Sequence, residues 1–272
     1  MPISSISDQQ VPVVVERRRV AVVTGASRGL GRGISVALAR SGCDVVVNYN
    51  RDQTAAKQTA IAVEDLGATA TVVQGDVSDA HTASELVAAA HALGGLDVWV
   101  NNAGVSILAP VVDTPATEMA RMLEVNVMGT FHGLRAAAED MARRDVTGRI
   151  INVASEVAVQ AFPLLGGYSA TKFAVVGLTQ AAALELGAAG ITVNAVGPGT
   201  AETDMVTAER RSESALRSTT AEVVRDSYLD AIPLGRFCDP GEVGSLVAWL
   251  AGPHASYITG QTFLVNGGAV LH

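Results

Sequence analysis

The stretch YSATK places Tyr168 four residues ahead of Lys172, in a chain that has only four tyrosines. In a helix, positions i and i+4 lie on one face, a turn apart. An ammonium held beside a phenol favours the phenolate and lowers the tyrosine pKa. The ordinary value is about 10, and a shift to about 7 takes roughly 4 kcal/mol of differential interaction. Tyr168 would then exchange a proton near neutral pH as a general acid or base. Taken alone, the pentapeptide fits better a tyrosine at a helix start with a lysine on a solvated face, so the rest of the chain must decide.

A second chemical signal lies near the start. In VAVVTGASRGLGRG an apolar run leads through Gly25, Gly29 and Gly31 into a helical pattern. Glycines there let the backbone turn sharply and approach a pyrophosphate, whose charge the helix N-terminus stabilises. A glycine turn is a weak signal by itself and a stronger one between a buried strand and a helix. The spacing is TGxxxGxG rather than GxGxxG.

Elements that would position these residues follow a regular rhythm. Strand-like runs are VAVVT (20–24), DVVVNY (44–49), TATVVQ (69–74), DVWVN (97–101), RIINVA (149–154), ITVNAV (191–196) and TFLVN (262–266). Most are continuously apolar, as expected of parallel strands covered on both faces. Helical patterns fall at 30–41, 53–66, 80–93, 115–144 (as two helices), 168–188 and 240–251. Such alternation predicts right-handed βαβ units and a doubly wound, seven-stranded parallel sheet of Rossmann type. Residues 1–18 read as a flexible extension and 19–272 as one domain. The polar stretch 200–235 interrupts the rhythm and reads as a substrate lid. The 168–188 helix is apolar nearly all round, which predicts burial on two sides, against the sheet and against another subunit.

Composition narrows the function. The chain has 272 residues, 49 % of them hydrophobic, enough for a large core. A net charge of −8 argues against a general nucleic-acid or membrane-surface binder. The run Arg17-Arg18-Arg19 reads as a strand lead-in. Cys43 and Cys238 form no disulfide framework, which fits a reducing compartment and a cytoplasmic location. No apolar stretch reaches the roughly 18 residues of a membrane span, and the N-terminus lacks the pattern of a secretory signal. The five histidines show no metal-ligand spacing, so no metal is expected, and no serine sits in GxSxG.

Taken in order, further motifs resemble the short-chain dehydrogenase/reductase family over residues 19–268. TGASRGLG (24–31) resembles its cofactor loop, GDVSD (75–79) its adenine contact, and NNAG (101–104) the turn after its fourth strand. Asn126 in LEVNVMGT resembles its helix-kink asparagine. NVAS ends at Ser155, thirteen residues before Tyr168 of the YxxxK motif, and NAVGPGTAETDM (194–205) resembles its PG segment. The resemblance implies that Tyr168 passes a proton to or from the substrate oxygen. Lys172 would lower the Tyr168 pKa and hold the nicotinamide ribose, Ser155 would hydrogen-bond the reacting oxygen, and Asn126 would hold a water linking Lys172 to solvent. Hydride transfer to a carbonyl builds negative charge on oxygen, so a hydroxyl donor and a proton source must converge there. The implied cofactor contacts are Gly25, Ser27, Arg28, Gly29, Leu30 and Gly31 in the loop, Tyr49, Asn50 and Arg51 after the second strand, and Asp76 and Val77 after the third. Asn102, Ala103, Gly104, Val125, Tyr168, Lys172, Pro198, Gly199, Ala201, Thr203 and Met205 complete the set.

Three departures stand out. Ala201 replaces a frequent Ile or Val, which predicts looser packing near the nicotinamide. Asn266 replaces the frequent Asp near the C-terminus. Glu156, directly after Ser155, is unexpected beside an apolar pocket and is read as pointing outward.

Dinucleotide folds that use NAD usually carry an acid at the end of the second strand. Here that position is Tyr49, while Arg28 and Arg51 are placed to meet a 2′-phosphate, which favours NADP(H). Asp52 beside Arg51 weakens this reading and leaves NAD(H) or dual use open.

The expected function is an NADP(H)-dependent oxidoreductase interconverting a carbonyl and a secondary alcohol. A non-catalytic dinucleotide-binding regulator is disfavoured, since it need not keep Asn126, Ser155, Tyr168 and Lys172 together. AFPLLGGYSATKFAV (161–175) resembles acetoin and polyol dehydrogenases of the family, so a small polar ketone, diol or sugar-type substrate leads. A 3-oxoacyl-acyl-carrier-protein reductase is the alternative, although an acidic carrier needs a basic docking face and 168–188 has only Lys172. A homotetramer acting on a small molecule is expected.

Overall fold

A computed structural model of the chain describes residues 17–272. Seven strands form one parallel sheet in the order β3-β2-β1-β4-β5-β6-β7. They are β1 (Arg19–Val23), β2 (Cys43–Tyr49), β3 (Ala70–Gln74), β4 (Val98–Asn101), β5 (Arg149–Val153), β6 (Thr192–Pro198) and β7 (Thr262–Val265). The order reverses direction between β1 and β4, which opens the crevice at the strands' carboxyl ends where such sheets bind ligands. All seven predicted strands are present, and the 1–16 part of the extension lies outside the described residues.

Alternation along each strand sends side chains to both faces. Ala21, Val23, Val45 and Val47 pack under α1 (Gly29–Arg40), α2 (Gln53–Glu64) and α9 (Pro240–Ala251). Val20, Val22 and Val46 pack under α3 (Ala80–Ala92), α5 (Gly129–Arg143) and α6 (Gly166–Leu186). This is the three-layer architecture predicted from continuous apolar strands. Helices α1 and α9 approach closely because Gly33 and Gly244 face each other; a methyl added at Gly244 would lie 2.5 Å from the Gly33 carbonyl oxygen.

The arginine lead-in clamps the amino ends of the sheet. Arg17 donates two hydrogen bonds to Asp97, at 2.7 and 2.8 Å, and Arg18 donates to Asp44 at 3.0 Å. Residues 17 and 18, assigned from sequence to a flexible extension, are therefore tied to the domain.

The 115–144 region contains the two expected helices, α4 (Ala116–Met122) and α5, joined by a π-helical turn, Leu123–Met128. The 200–235 stretch folds into α7 (Asp204–Leu216) and α8 (Ala221–Asp230). It is not uniformly solvated: Glu213 is 3 % exposed and Val224 2 %.

Candidate active site

The glycine turn, GDVSD, NNAG, NVAS and the PG segment lie at or just past the carboxyl ends of strands, so the parallel sheet brings them to one edge, while Asn126 comes from the turn between α4 and α5 and Tyr168 and Lys172 come from α6. Thr24, the residue after β1, does much of the joining. Its hydroxyl accepts from the backbone N–H groups of Asn102 and Ala103 at 2.9 and 3.1 Å. The Asn102 side chain donates to the Thr24 and Gly25 carbonyls at 2.8 and 3.1 Å. Gly25 has φ +60°, and a methyl there would meet the Ala103 Cα at 2.9 Å, so this close approach requires glycine. Asn48, buried in β2, accepts from the Gly25 N–H and donates to the Gly75 carbonyl, both at 3.1 Å. Thr24 and Asn48 were not singled out in the sequence; the signal for them is a polar residue at the end of a buried apolar run.

The glycine turn fits a pyrophosphate. Arg28, the N-cap of α1, makes no side-chain cap, and the first turn carries no acid. Its N–H groups remain available to an anion, in the place where the positive end of the helix favours one. A methyl added at Gly29 would lie 3.2 Å from Thr203, the residue that caps α7 by accepting from the Val206 N–H at 3.3 Å. The PG segment is thereby held against the loop. Ala201 is not loosely packed, as its small size predicted: it is 2 % exposed and bridged to Cys238. Met205, in the first turn of α7, is 41 % exposed.

Around the expected ribose and adenine positions, Asp76 accepts from the Ser78 N–H and hydroxyl and from Asn50 at 2.8 Å. Burial alone would raise its pKa, but these hydrogen bonds outweigh it and the pKa is lowered. Asp52 is the cap of α2, accepting from the Ala55 N–H at 2.9 Å. Arg51 is exposed and forms no ion pair with the described residues. Tyr49 corrects one expectation: its ring is 4 % exposed and belongs to the core under α2, so its side chain is turned away from the cleft.

The π turn fixes Asn126. Widening the helix by one residue frees a backbone carbonyl, which Thr130 takes at 2.7 Å. The Asn126 amide then holds both backbone groups of Val105, at 2.8 and 2.9 Å, and donates to Thr171 at 3.0 Å. Helix α6 is also tied to the sheet through a buried chain. Trp99 donates to Asn101, Asn101 to Asn152, and Asn152 to Thr179 at 2.8 Å.

Ser155, Tyr168 and Lys172 meet over the end of β5. Ser155 accepts from the Val157 N–H at 3.3 Å, which orients its hydroxyl. Lys172 is 4 % exposed and donates to the Val153 carbonyl at 2.8 Å; its ammonium is 5.5 Å from the centre of the Tyr168 ring. Burial lowers its pKa to about 8. The Tyr168 phenol is pushed up rather than down: burial is the main cause, the Glu209 charge adds to it, and the Ser155 hydroxyl works the other way. The lowering by Lys172 expected from the sequence does not offset these effects in this set of protein groups; the Lys172 ammonium donates to the Val153 carbonyl.

Glu156 corrects a further expectation. Its Oε2 is buried, without a hydrogen-bond partner among the described residues, rather than pointing outward. Burial raises its pKa to about 7, and the neighbouring Asn266 amide offsets part of the rise. Asn266 itself accepts from the Gly268 N–H and donates to the Val270 carbonyl at 2.8 Å. An aspartate there would set two carboxylates against each other, so the two departures at 156 and 266 are physically linked.

With this geometry in place, similarity to known proteins is informative. Residues 25–270 match the family model described as enoyl-(acyl carrier protein) reductase. The chain is 41 % identical to L-2,3-butanediol dehydrogenase of Corynebacterium glutamicum, over 92 % of this chain and 98 % of that protein. It is 37 % identical to a 3-oxoacyl-acyl-carrier-protein reductase of Staphylococcus aureus, over 91 % and 96 % of the two chains. The crystal structure of acetoin dehydrogenase from Enterobacter cloacae superimposes with a TM-score of 0.80 at 36 % identity, over 93 % and 95 %. The fold and these relatives mark an NAD(P)-dependent oxidoreductase acting on CH–OH groups. The chain belongs to the short-chain dehydrogenase/reductase family.

Proposed function

We propose that this protein is an NADP(H)-dependent reductase and dehydrogenase of small polar ketones, hydroxy-ketones or diols. The observation that carries the reaction is the convergence of the Ser155 and Tyr168 hydroxyls over buried Lys172. Ser155 donates a hydrogen bond to the reacting oxygen, Tyr168 delivers or takes its proton, and Lys172 keeps a positive charge beneath the phenol. Asn126 positions this set through Val105 and Thr171. The bound nicotinamide supplies or accepts the hydride. Gly25, Ser27, Gly29, Leu30 and Gly31 would cradle its phosphates, Asp76 and Val77 its adenine, and Asn102, Ala103, Gly104, Val125, Pro198, Gly199, Ala201, Thr203 and Met205 the nicotinamide side.

Support for NADP(H) is local. Asp52, the acid that weakened the sequence argument, is engaged as a helix cap, and Arg51 carries no ion pair with the described residues. Arg28 and Arg51 together suit a 2′-phosphate.

Support for a small polar substrate comes from the inward carboxyl of Glu209, whose charge reaches Tyr168, and from the names of the relatives. A long apolar acyl chain gains nothing from that carboxyl. The acyl-carrier reading also needs a basic docking face. Arg144 is paired with Asp140 at 2.8 Å and Arg143 with the same carboxylate at 3.7 Å, which reduces the charge they offer an acidic partner. A steady-state screen of hydroxy-ketones, diols and 3-oxoacyl thioesters with both nicotinamides tests the reading. Efficiency rising with acyl length would promote the carrier-protein reductase instead.

Assembly as a homotetramer is supported by α6, whose outer face exposes Phe173 at 46 % and Leu184 at 87 %. Leu123 and Met128 beside it are 41 % and 42 % exposed. A closed two-fold pairing would bury such a face. No described helix is long and apolar enough to cross a membrane, and a cytoplasmic location rests on the cysteine usage alone.

A further inference from the structure

Glu209 has no part in the proton-transfer set, yet its charge reaches the Tyr168 hydroxyl and opposes its ionisation. It lies partly buried on α7, and its neighbours on that side are already engaged. Arg210 sits over the Phe237 ring, 5.2 Å from its centre, and donates to Thr207. Glu213 is paired with Arg217 at 2.6 Å and accepts from the Tyr228 hydroxyl. Glu209 has no such partner: no cation among the described residues lies within ion-pair distance of it. Beside it is Ser106, in the loop that follows NNAG, whose Oγ is buried without a hydrogen-bond partner of good geometry among the described residues. The Glu209 carboxyl, without an ion-pair partner among the described residues, therefore stands within electrostatic reach of the Tyr168 hydroxyl on α7, with the buried, unpaired Ser106 hydroxyl of the β4–α4 loop beside it. A buried hydroxyl of this kind costs free energy unless something pairs with it.

We propose that Glu209 and Ser106 form a polar subsite for a substrate hydroxyl other than the reacting oxygen, so that the enzyme prefers vicinal diols and hydroxy-ketones to simple secondary alcohols and ketones. This deepens the small-polar-substrate reading and rests on it. The carboxyl accepts the hydrogen bond of the substrate hydroxyl, and Ser106 completes the pairing as donor or acceptor. Burial raises the Glu209 pKa, the Ser106 hydroxyl offsets part of this, and Glu213 one turn further raises it again. A carboxyl drawn towards its neutral form suits a hydroxyl rather than a cationic group. Because α7 starts from the Thr203 cap beside the glycine turn, the subsite is carried on the segment anchored next to the cofactor loop.

The test compares kcat/KM for butane-2,3-diol, butan-2-ol and 3-aminobutan-2-ol with NADP in wild type, Glu209→Gln, Glu209→Leu and Ser106→Ala. Wild type is expected to favour the diol over the mono-alcohol. Glu209→Leu is expected to lower that preference at least about tenfold, equivalent to about 1.4 kcal/mol, and Glu209→Gln, which still accepts a hydrogen bond, to restore part of it. Ser106→Ala serves as a smaller, independent change on the same subsite and is expected to lower the preference too. Parallel losses on diol and mono-alcohol in all three variants, or an unaltered ratio, would overturn the subsite while leaving the reaction assignment standing. A wild-type preference for the amino alcohol that vanishes in Glu209→Gln would overturn the hydroxyl assignment in favour of a cation. Wild-type turnover of none of these compounds, with turnover of 3-oxoacyl thioesters, would overturn the substrate reading and the subsite with it.

Discussion

The Arg28 guanidinium lies 3.4 Å from the Asp204 carboxylate, joining the cofactor turn to the first residue of α7. Both side chains are largely exposed, so the pair contributes little stability. Arg28 is also one of the two arginines proposed to meet a 2′-phosphate, and a phosphate dianion bound there would compete with Asp204 for it.

Cofactor choice can be tested at that pair. Replacing Arg28 and Arg51 together by alanine is expected to weaken NADPH binding at least about tenfold more than NADH binding, because only NADPH carries the extra phosphate. Asp204→Asn, which removes the competitor, is expected to tighten NADPH. Titration of each variant by cofactor fluorescence checks both; equal losses for the two cofactors would remove the arginines from the phosphate site.

Tyr168→Phe keeps the ring and deletes the proton. Turnover is expected to fall by about 10²–10⁴-fold, the usual contribution of general acid–base catalysis, with cofactor binding largely retained. Lys172→Ala is expected to damage both, since the same ammonium lies beneath the phenol and is placed to hold the ribose. Unchanged nicotinamide affinity in the lysine variant would refute its double duty.

Glu156 gives the protein a pH-dependent liability. Its pKa is raised from an ordinary 4.5 to about 7 in the folded state. The folded state therefore holds the proton more tightly than the unfolded chain, and stability falls as pH rises between those values. The whole shift corresponds to about 3 kcal/mol. Since water screens part of it, Glu156→Gln is expected to gain about 1–2 kcal/mol at pH 8 and about a quarter of that at pH 5. Asn266→Asp is expected to destabilise the wild type at pH 8 and to be better tolerated in Glu156→Gln. Melting temperatures at the two pH values measure this, and equal gains at both would show that the carboxyl is not held protonated.

Helices α7 and α8 are expected to behave as a lid that cofactor orders. The segment is tied at Ala201–Cys238 and at Arg28–Asp204; of its two other ion pairs, Arg225–Asp226 is at the surface and Arg217–Glu213 has a buried carboxylate. Loops that close over ligands come from the less stable parts of a fold. Hydrogen exchange of 200–230 should slow on adding NADPH; identical protection in both states would rule out cofactor-coupled ordering.

The exposed apolar face on α6 predicts an oligomer. Light scattering at micromolar concentration should give a mass near four chains. Phe173→Glu with Leu184→Glu should lower it. A wild-type monomer would refute the prediction.

Much of this protein is local and so was legible in the chain. Parallel strands buried on both faces must be continuously apolar, which is why VAVVT, DVVVNY and RIINVA could be read directly as strands. The glycine turn and the Tyr168–Lys172 spacing depend only on backbone geometry over a few residues. Other outcomes depended on which side chains distant segments bring together. Tyr49 lies at the expected register position, but strand pleating and the packing of α2 turn its ring into the core. The π turn at Asn126 shares its apolar pattern with an ordinary helix, and only its contacts with Val105 and Thr171 fix it.

Charged residues were the least legible, because a sequence gives their type and not their surroundings. Glu156 and Asn266 are 110 positions apart, and their mutual dependence exists only where β5 and β7 end together. Glu209 and Glu213 looked like ordinary members of a solvated segment until α7 folded one face inward. The sequence by itself determined the order of strands and helices along the chain, the glycine turn and the Tyr168–Lys172 spacing, since these follow from periodicity and short spacings. Tertiary structure alone decided the orientation of the carboxyls, the direction of the Lys172 ammonium and the tie between the glycine turn and α7, because burial and electrostatic partners are properties of the assembled fold.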